Sequence, residues 1–413
     1  MSKNIYLDRY AYPTTFINSL PPDSLGIVVT IPCFNEPNLI DSLQSLYNCN
    51  RPNCATEIIV VINDGEHSTS SVKSQNRITY HEAIQWAECK NTPKLYFHFI
   101  YAENLPKKHA GVGLARKIAM DEAVKRFEAI GNSKGIISCF DADTLCETNY
   151  LTSLEKHFEQ NPKTFGCSIY FEHPLGGELP PSNYQAIIDY ELFLRYYTNG
   201  LKYVGLPYAY QTVGSSMAVR SDVYQKQGGM NKRHAGEDFY FLHKIIALGG
   251  FSELNSTTVI PSPRQSDRVP FGTGKAVSEW MNNNELYTYA PQTFTDIKNF
   301  LTSSDVLWEI TKIDTYLDSL PKSISTFLLE SDFETELNRI KTNSSNSISF
   351  ITNFYQWFNA FKVLKFIHYA RDHYYPNVPI AEAANWLLKK QHSIVCDGSL
   401  DALLAFREMD KSS

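Results

Sequence analysis

Asp141 and Asp143, separated by one alanine at the end of the run GIISCFDADT (135 to 144), carry the clearest chemical signal in this chain. The run is apolar from Ile136 to Phe140. An all-apolar stretch bounded by a glycine and a polar turn predicts a central strand buried on both faces. In open α/β sheets, ligands bind in the crevice beyond the carboxyl ends of such strands. In an extended segment residues i and i+2 point the same way, so both carboxylates are expected on one side of the loop. Two such oxygens suit a hard divalent cation, Mg²⁺ or Mn²⁺, which keeps waters and takes its other ligands from substrate phosphates. D-x-D triplets also arise by chance as solvated loop acids; the buried strand in front of this one favours the functional reading.

Other chemistry-bearing residues fall on the same expected sheet edge. The loop TIPCFNE (30 to 36) offers Pro32, Asn35 and Glu36 as exposed candidates beside a helix start, where backbone N–H groups favour anions. By itself it reads equally as a turn and cap. Asp64, closing the run EIIVVIND, could accept hydrogen bonds from a base or ribose, or stabilise its Asp-Gly turn. The segment Lys107 to Gly113, followed by Arg116 and Lys117, places cations and flexible backbone at a helix start, which suits phosphate. It is not a G-x-G-x-x-G fingerprint, because Arg116 stands where the third glycine would be, and FGTGK (271 to 275) is not a P-loop, because position 269 is valine. Glu237 and Asp238 open a helix after Gly236. They serve either the helix dipole or, functionally, as a general base for an acceptor hydroxyl. Arg264, Ser266, Asp267 and Arg268 lie in a proline-bounded loop whose arginines could clamp phosphate or pair with surface acids.

The elements that must position these residues alternate. Strands are expected at 26–31, 57–62, 95–102, 136–140 and 166–171, and helices at about 38–47, 76–89, 114–129, 150–160, 183–197 and from 237 onward. Such alternation predicts βαβ units, a mostly parallel sheet flanked by helices, and loops gathered at one edge. From about 276 the alternation stops. The expectation is an α/β domain over 1–275 and a helical C-terminal region over 276–413. Within the latter, FYQWFNAFKVLKFIHYA (354 to 370) reads as one helix, apolar round most of its surface.

Bulk properties narrow the class. At 413 residues two domains are expected. A net charge of -6 without a long basic run argues against a nucleic-acid partner. No signal-peptide pattern opens the chain, and no apolar run reaches the ~18 residues of a membrane span. The 8 cysteines form no C-x-x-C pair, several lie in apolar strands, and a reduced, cytoplasmic setting is expected. Aromatics make up 13%, with 25 tyrosines, a composition that suits sugar-facing surfaces as well as it suits a core.

In combination the motifs resemble a family-2-like glycosyltransferase of the GT-A fold, over about 26 to 270. TIPCFNE resembles the first nucleotide-binding loop, EIIVVINDG the second strand with its base-contacting acid, GVGLARKIAMDEA the helix before the D-x-D strand, FDADT the D-x-D itself, and GGMNKRHAGEDFYF the acceptor-side E-D motif. The resemblance implies a metal-dependent transfer of a sugar from a nucleotide-diphosphate donor to an acceptor hydroxyl. Asp141 and Asp143 would hold the cation, with Mn²⁺ or Mg²⁺ as cofactor. Pro32, Asn35, Glu36, Asp64, Arg116, Asp141 and Arg268 would bind the donor. Asp238, with Glu237 next to it, would be the base of an inverting reaction. Departures exist: Q-x-x-R-W is absent, which favours non-processive transfer, and the usual asparagine in the helix before D-x-D is Lys117. His234 is a weak metal-shell candidate. Alternatives are a sugar nucleotidyltransferase, whose Gly-rich first loop is missing, and a catalytically inactive sugar-nucleotide-binding protein. The acceptor, a homo-oligomeric state and peripheral membrane association stay open.

Overall fold

Runs of β-branched and aliphatic residues form the strands β1 (Leu25–Cys33), β2 (Ala55–Gly65), β3 (Leu95–Leu105), β4 (Ile136–Cys139), β5 (Leu145–Cys146), β6 (Gly166–Phe171), β7 (Met217–Arg220) and β8 (Phe251–Ile260). In the computed structural model, which describes residues 4–266 and 272–412, they make one sheet in the order β3-β2-β1-β4-β7-β6-β8-β5. Strands β1 to β4 pair in parallel, with Cys33 opposite Ile62 and Thr30 opposite Cys139, so their carboxyl ends share one edge. The strand β4 is buried throughout, as its apolar run predicts. The other half is mixed: β7 runs antiparallel to both β4 and β6, while β6 and β8 are parallel.

Helices α1 (Ile5–Arg9), α2 (Leu39–Tyr47), α3 (Ser70–Ala87), α4 (Val112–Ala129), α5 (Tyr150–Gln160), α6 (Pro181–Tyr203), α7 (Ser221–Lys226), α8 (Glu237–Ile246) and α9 (Thr273–Asn283) flank or follow the strands. The helix expected near 76 starts six residues earlier, because the Thr69 side chain caps it by accepting from Val72 N–H. Strands β5, β7 and β8 and helices α1 and α7 are absent from the sequence-based expectation.

The helix α4 is buried nearly all round although many of its residues are charged. An N-terminal strap satisfies them. The Tyr6 and Tyr224 hydroxyls donate to Asp121 at 2.6 and 2.7 Å, and Tyr12 N–H donates to its other oxygen at 2.7 Å. Glu122 accepts from the N–H groups of Phe16 and Ile17. Lys117 pairs with Asp121 at 2.9 Å and reaches the Tyr6 hydroxyl. Arg126 forks onto Glu57 of β2. Buried charges survive when they are paired and hydrogen-bonded, and this network fixes the helix that carries Arg116.

The chain divides into two compact units: Met1–Ile187 with Thr212–Met281 and Glu408–Ser413, and Ile188–Gln211 with Asn282–Arg407. The first holds the eight-stranded sheet. The second is helical. Its core gathers Phe294, Phe300, Phe333, Phe354, Phe358 and Phe366, with Phe300 and Phe358 edge to face at 5.0 Å. In the same unit Glu191, fully buried, accepts from Arg195 at 2.9 Å and from Arg407 at 2.8 and 2.6 Å. The stretch 354 to 370 is two helices, Ser347–Trp357 and Ala360–His373, not one. Asn359 breaks it, because its side chain accepts from Phe361 and Lys362 N–H and so caps the second helix. Among the described residues no helix is long and apolar enough to cross a membrane.

Candidate active site

The strand β1 delivers the first loop. Pro32 lies within β1, opposite Val61, and not in a turn. The ladder with β4 has ended by then, at Thr30, so the missing N–H breaks no bond on that side. Asn35 takes a left-handed backbone, φ 50°, and its N–H donates to Asn76 Oδ1 of α3 at 2.8 Å. Thr79 Oγ1 donates to the Glu36 carbonyl at 2.8 Å. Glu36, expected to be exposed, is fully buried. One carboxylate oxygen accepts from Asn38 N–H at 2.9 Å and the other from Arg264. Asp64 is buried at the end of β2; it accepts from Asn104 N–H at 2.9 Å and from the Tyr101 hydroxyl at 3.3 Å. Tyr101 in turn stacks on Tyr80, with ring centroids 5.4 Å apart.

The D-A-D segment is not extended. Thr144 N–H donates to the Asp141 carbonyl at 3.2 Å and closes a turn over 141–144, so the alternation expected of a strand does not apply. Each aspartate meets its own arginine. Arg116, 2% exposed, uses all three guanidinium nitrogens: Nη2 on Asp141 at 2.9 Å, Nε on Glu237 at 3.2 Å, Nη1 on the Gly214 carbonyl at 2.6 Å. Arg264 directs Nη2 (2.8 Å) and Nε (3.2 Å) onto Asp143 Oδ2, and Nη2 also reaches Glu36. Burial disfavours both guanidinium charges; Asp141 and Glu237 for Arg116, and Glu36 and Asp143 for Arg264, more than offset this and raise both pKa values.

The helix α8 brings the remaining acids. Burial pushes the Glu237 carboxyl up to about 7, with Arg116 opposing and Asp238 adding to the rise. Asp238 is raised too, first by burial, with Arg116 again opposing. Glu237 is 3% exposed, whereas Asp238 is part-buried. Asp238 Oδ1 accepts from Phe239 N–H at 2.7 Å. Gly214 is required here: a Cβ on it would stand 2.9 Å from Arg116 Nη2 and 3.0 Å from Asp238 Oδ2.

The amino end of α4, expected to offer phosphate contacts, is covered by residues 231–234. Gly113 N–H donates to the Arg233 carbonyl at 3.2 Å, and a Cβ on Gly113 would lie 2.3 Å from that oxygen. His234 is exposed and lies against the Lys108 carbonyl at 3.0 Å. Arg268 and Asp267 lie outside the described residues. Sequence reading passed over Gly214, Asn76 and Thr79, and placed Arg264 no higher than its neighbours. A polar asparagine and threonine three apart on the buried side of α3 were the available signal.

Among the described residues no group of three or more His, Cys, Asp or Glu side chains could hold a metal ion. The donor chemistry of Asp141 and Asp143 fits a cation that arrives with phosphate oxygens and water as its other ligands, not one caged by protein alone. Charge points the same way: Glu36, Asp141, Asp143, Glu237 and Asp238 face Arg116 and Arg264, an excess of carboxylates over guanidiniums.

No protein-family model and no curated protein matches the chain. Among solved structures it is similar to residues 1–349 of S. aureus TarS. With the UDP-GlcNAc complex it shares 12% identity over 94% of this chain and 91% of that one, at a TM-score of 0.39. With the UDP complex the figures are 14%, 91%, 95% and 0.38. A longer TarS structure is 11% identical, with 84% of this chain and 55% of that one covered, at 0.39. Likeness at this level carries no functional argument, and the reading below rests on the residues of this chain.

Proposed function

We propose that this protein is a glycosyltransferase that moves a sugar from a nucleotide-diphosphate donor to an acceptor hydroxyl, using a divalent cation, with inversion and without processive elongation. The observation that carries the proposal is the convergence of acids from β1, β4 and α8 on two arginines at the carboxyl edge of the parallel strands, where open α/β sheets bind ligands. Asp64, beside the stacked pair Tyr80 and Tyr101, lies at the end of the neighbouring strand and is assigned to the base or ribose. Asp141 and Asp143 are assigned to the cation and diphosphate; a bound Mn²⁺ or Mg²⁺ would neutralise the leaving group.

Asp238 is assigned as the general base. It is the accessible member of its pair, and its raised pKa brings a carboxylate closer to the range where it can take a proton at neutral pH. Glu237, buried against Arg116, positions that guanidinium instead. Inversion needs one base opposite the leaving group, which Asp238, on a segment separate from Asp141 and Asp143, supplies.

The test is a panel of UDP-, GDP- and CMP-sugars, with thermal shift for binding and donor hydrolysis for turnover. A ligand that binds only the native state raises its melting temperature, so one nucleotide class should stand out. No shift and no hydrolysis across the panel would refute the proposal; release of pyrophosphate from a nucleoside triphosphate and a sugar phosphate would move the chain to the nucleotidyltransferases.

A further inference from the structure

We propose that Cys49 and Cys146 are an oxidation site, a thiol pair that a peroxide converts into a reversible disulfide stapling the end of α2 to β5 beside the D-A-D turn. The chemistry belongs to the thiols and is the same whether or not the chain binds a nucleotide sugar.

The fold brings these two sulfurs together from 97 positions apart in the chain, to an Sγ–Sγ distance of 3.6 Å. Both thiols are free. A disulfide needs about 2.05 Å between the sulfurs, so an approach of about 1.5 Å closes it. The backbones are already tied at this point. Cys146 N–H donates to Ser45 Oγ at 2.9 Å, and Asn50 N–H donates to the Thr148 carbonyl at 2.7 Å. The helix α2 opens just after the first loop, and β5 follows the 141–144 turn. The staple would therefore join the segments that carry Glu36 and Asp143.

Oxidation by a peroxide begins at a thiolate. The surroundings favour one at Cys49. Its pKa is lowered, first by the Cys146 S–H donating to it, against burial, and further by Leu151 N–H, the Arg51 charge and Tyr150 N–H. Tyr150 and Leu151 start α5, and a helix start and a nearby cation are settings that activate a thiol. The Ser45 and Glu147 carbonyls, 3.5 and 3.7 Å away, accept from the sulfur when it is protonated. By contrast, burial pushes Cys139 up, and Cys167 up to about 12. Cys146 is raised by its contact with Cys49 and by burial, so it keeps its proton, and it is part-exposed.

The steps balance. The Cys49 thiolate attacks one oxygen of hydrogen peroxide and breaks the O–O bond, which leaves a sulfenic acid and a hydroxide. The Cys146 sulfur then attacks the sulfenic sulfur. The S–S bond forms, the S–O bond breaks, and the departing hydroxide takes the Cys146 proton and leaves as water. Two electrons pass from the thiols to the peroxide. A reducing thiol reverses the reaction by attacking the part-exposed Cys146 sulfur.

The experiment treats the full chain, reduced and freed of reductant, with hydrogen peroxide. The remaining thiols are alkylated in denaturant, and the peptides are mapped by mass spectrometry without reduction. The expected product is a linked peptide joining Cys49 to Cys146 that disappears on adding dithiothreitol. The oxidised chain should melt several degrees higher than the reduced one, because the bond spans 97 positions of the unfolded chain. Cys146→Ser should leave Cys49 as a sulfenic acid trapped by dimedone, with no linked peptide and no gain in melting temperature. Cys89, which is exposed, is the internal control. If Cys49 and Cys146 are both still alkylated once Cys89 is oxidised, the oxidation site is overturned. A bond from Cys49 to any other cysteine, or a linked chain that melts no higher than the reduced one, overturns it too. The peptide map of the wild-type chain decides even where the variant does not fold.

Discussion

Glu237 should make the protein less stable as the pH rises, against the usual behaviour of a salt-bridged carboxylate. The perturbation is Glu237→Gln, which keeps the shape and removes the charge. In the folded chain burial lifts this carboxyl from 4.5 to about 7, even with Arg116 at 3.2 Å. The difference, about 2.5 units, corresponds to about 3 kcal/mol at ~1.36 kcal/mol per unit. At 3% exposure no solvent discount applies. The sign follows from proton counting. Below the unfolded pKa both states hold the proton. As the pH rises toward about 7, the unfolded chain releases it first, so the folded state holds more protons and loses stability. The contribution is fully present in acid and is gone above neutrality. Urea unfolding, followed by tryptophan fluorescence from about pH 5 to about pH 8, should show the variant gaining on wild type by about 2 to 3 kcal/mol over that interval. All other titrating groups are common to both proteins, and only Asp238, whose titration is linked to that of Glu237, shifts along with the substitution. A flat difference, or one that grows toward acid, would mean that Arg116 holds Glu237 ionised and that the site carries one more full negative charge than argued.

Four further outcomes are expected. Asp238→Asn should leave donor affinity near wild type and lower transfer about 10²- to 10⁴-fold; transfer within a few-fold of wild type would make Asp238 a helix-terminal structural acid. Asp143→Ala should abolish the metal-dependent part of nucleotide binding while circular dichroism shows an intact fold, and full turnover in excess EDTA would contradict the metal assignment. Arg116→Met leaves the buried Glu237 carboxyl and the Gly214 carbonyl without their donor and should cost about 1–3 kcal/mol, measured as lost melting temperature. Asn359→Ala removes the side chain that caps Ala360–His373 and should cost about 1 kcal/mol, with no change in nucleotide binding.

The parallel half of the fold was legible because its signals are local. The buried runs at 57–62 and 136–140 have nowhere to go but a two-sided sheet, and the strand β4 carries the D-A-D to the edge as its apolar residues predict. The missed elements are those whose sequences carry the partner's signal rather than their own. The strand β8, FSELNSTTVI, is only part-buried and polar at six of its ten positions, and it is a strand because β6 and β5 pair with it. The strap over α4 was invisible for a related reason: Tyr6 and Asp121 meet across 115 positions, and no periodicity reports such a pair.

The acids of the site could be named from the sequence; their partners could not, and the partners alter the chemistry. Asp141 and Asp143, two residues apart, were read as one donor pair. The 141–144 turn hands them to arginines from different segments, one sealed against Gly214 and Glu237, the other part-exposed on a proline-bounded loop. A guanidinium buried with three acids around it is a fixed charge that opposes the rise which burial gives to the proton affinity of Glu237 and Asp238. The guanidinium of Arg264 is shared between a buried glutamate and a part-exposed aspartate. The same residue type thus stands in one site in two settings, and burial separates them: Arg116 is sealed against Glu237 and Asp141, while Arg264 is part-exposed between Glu36 and Asp143.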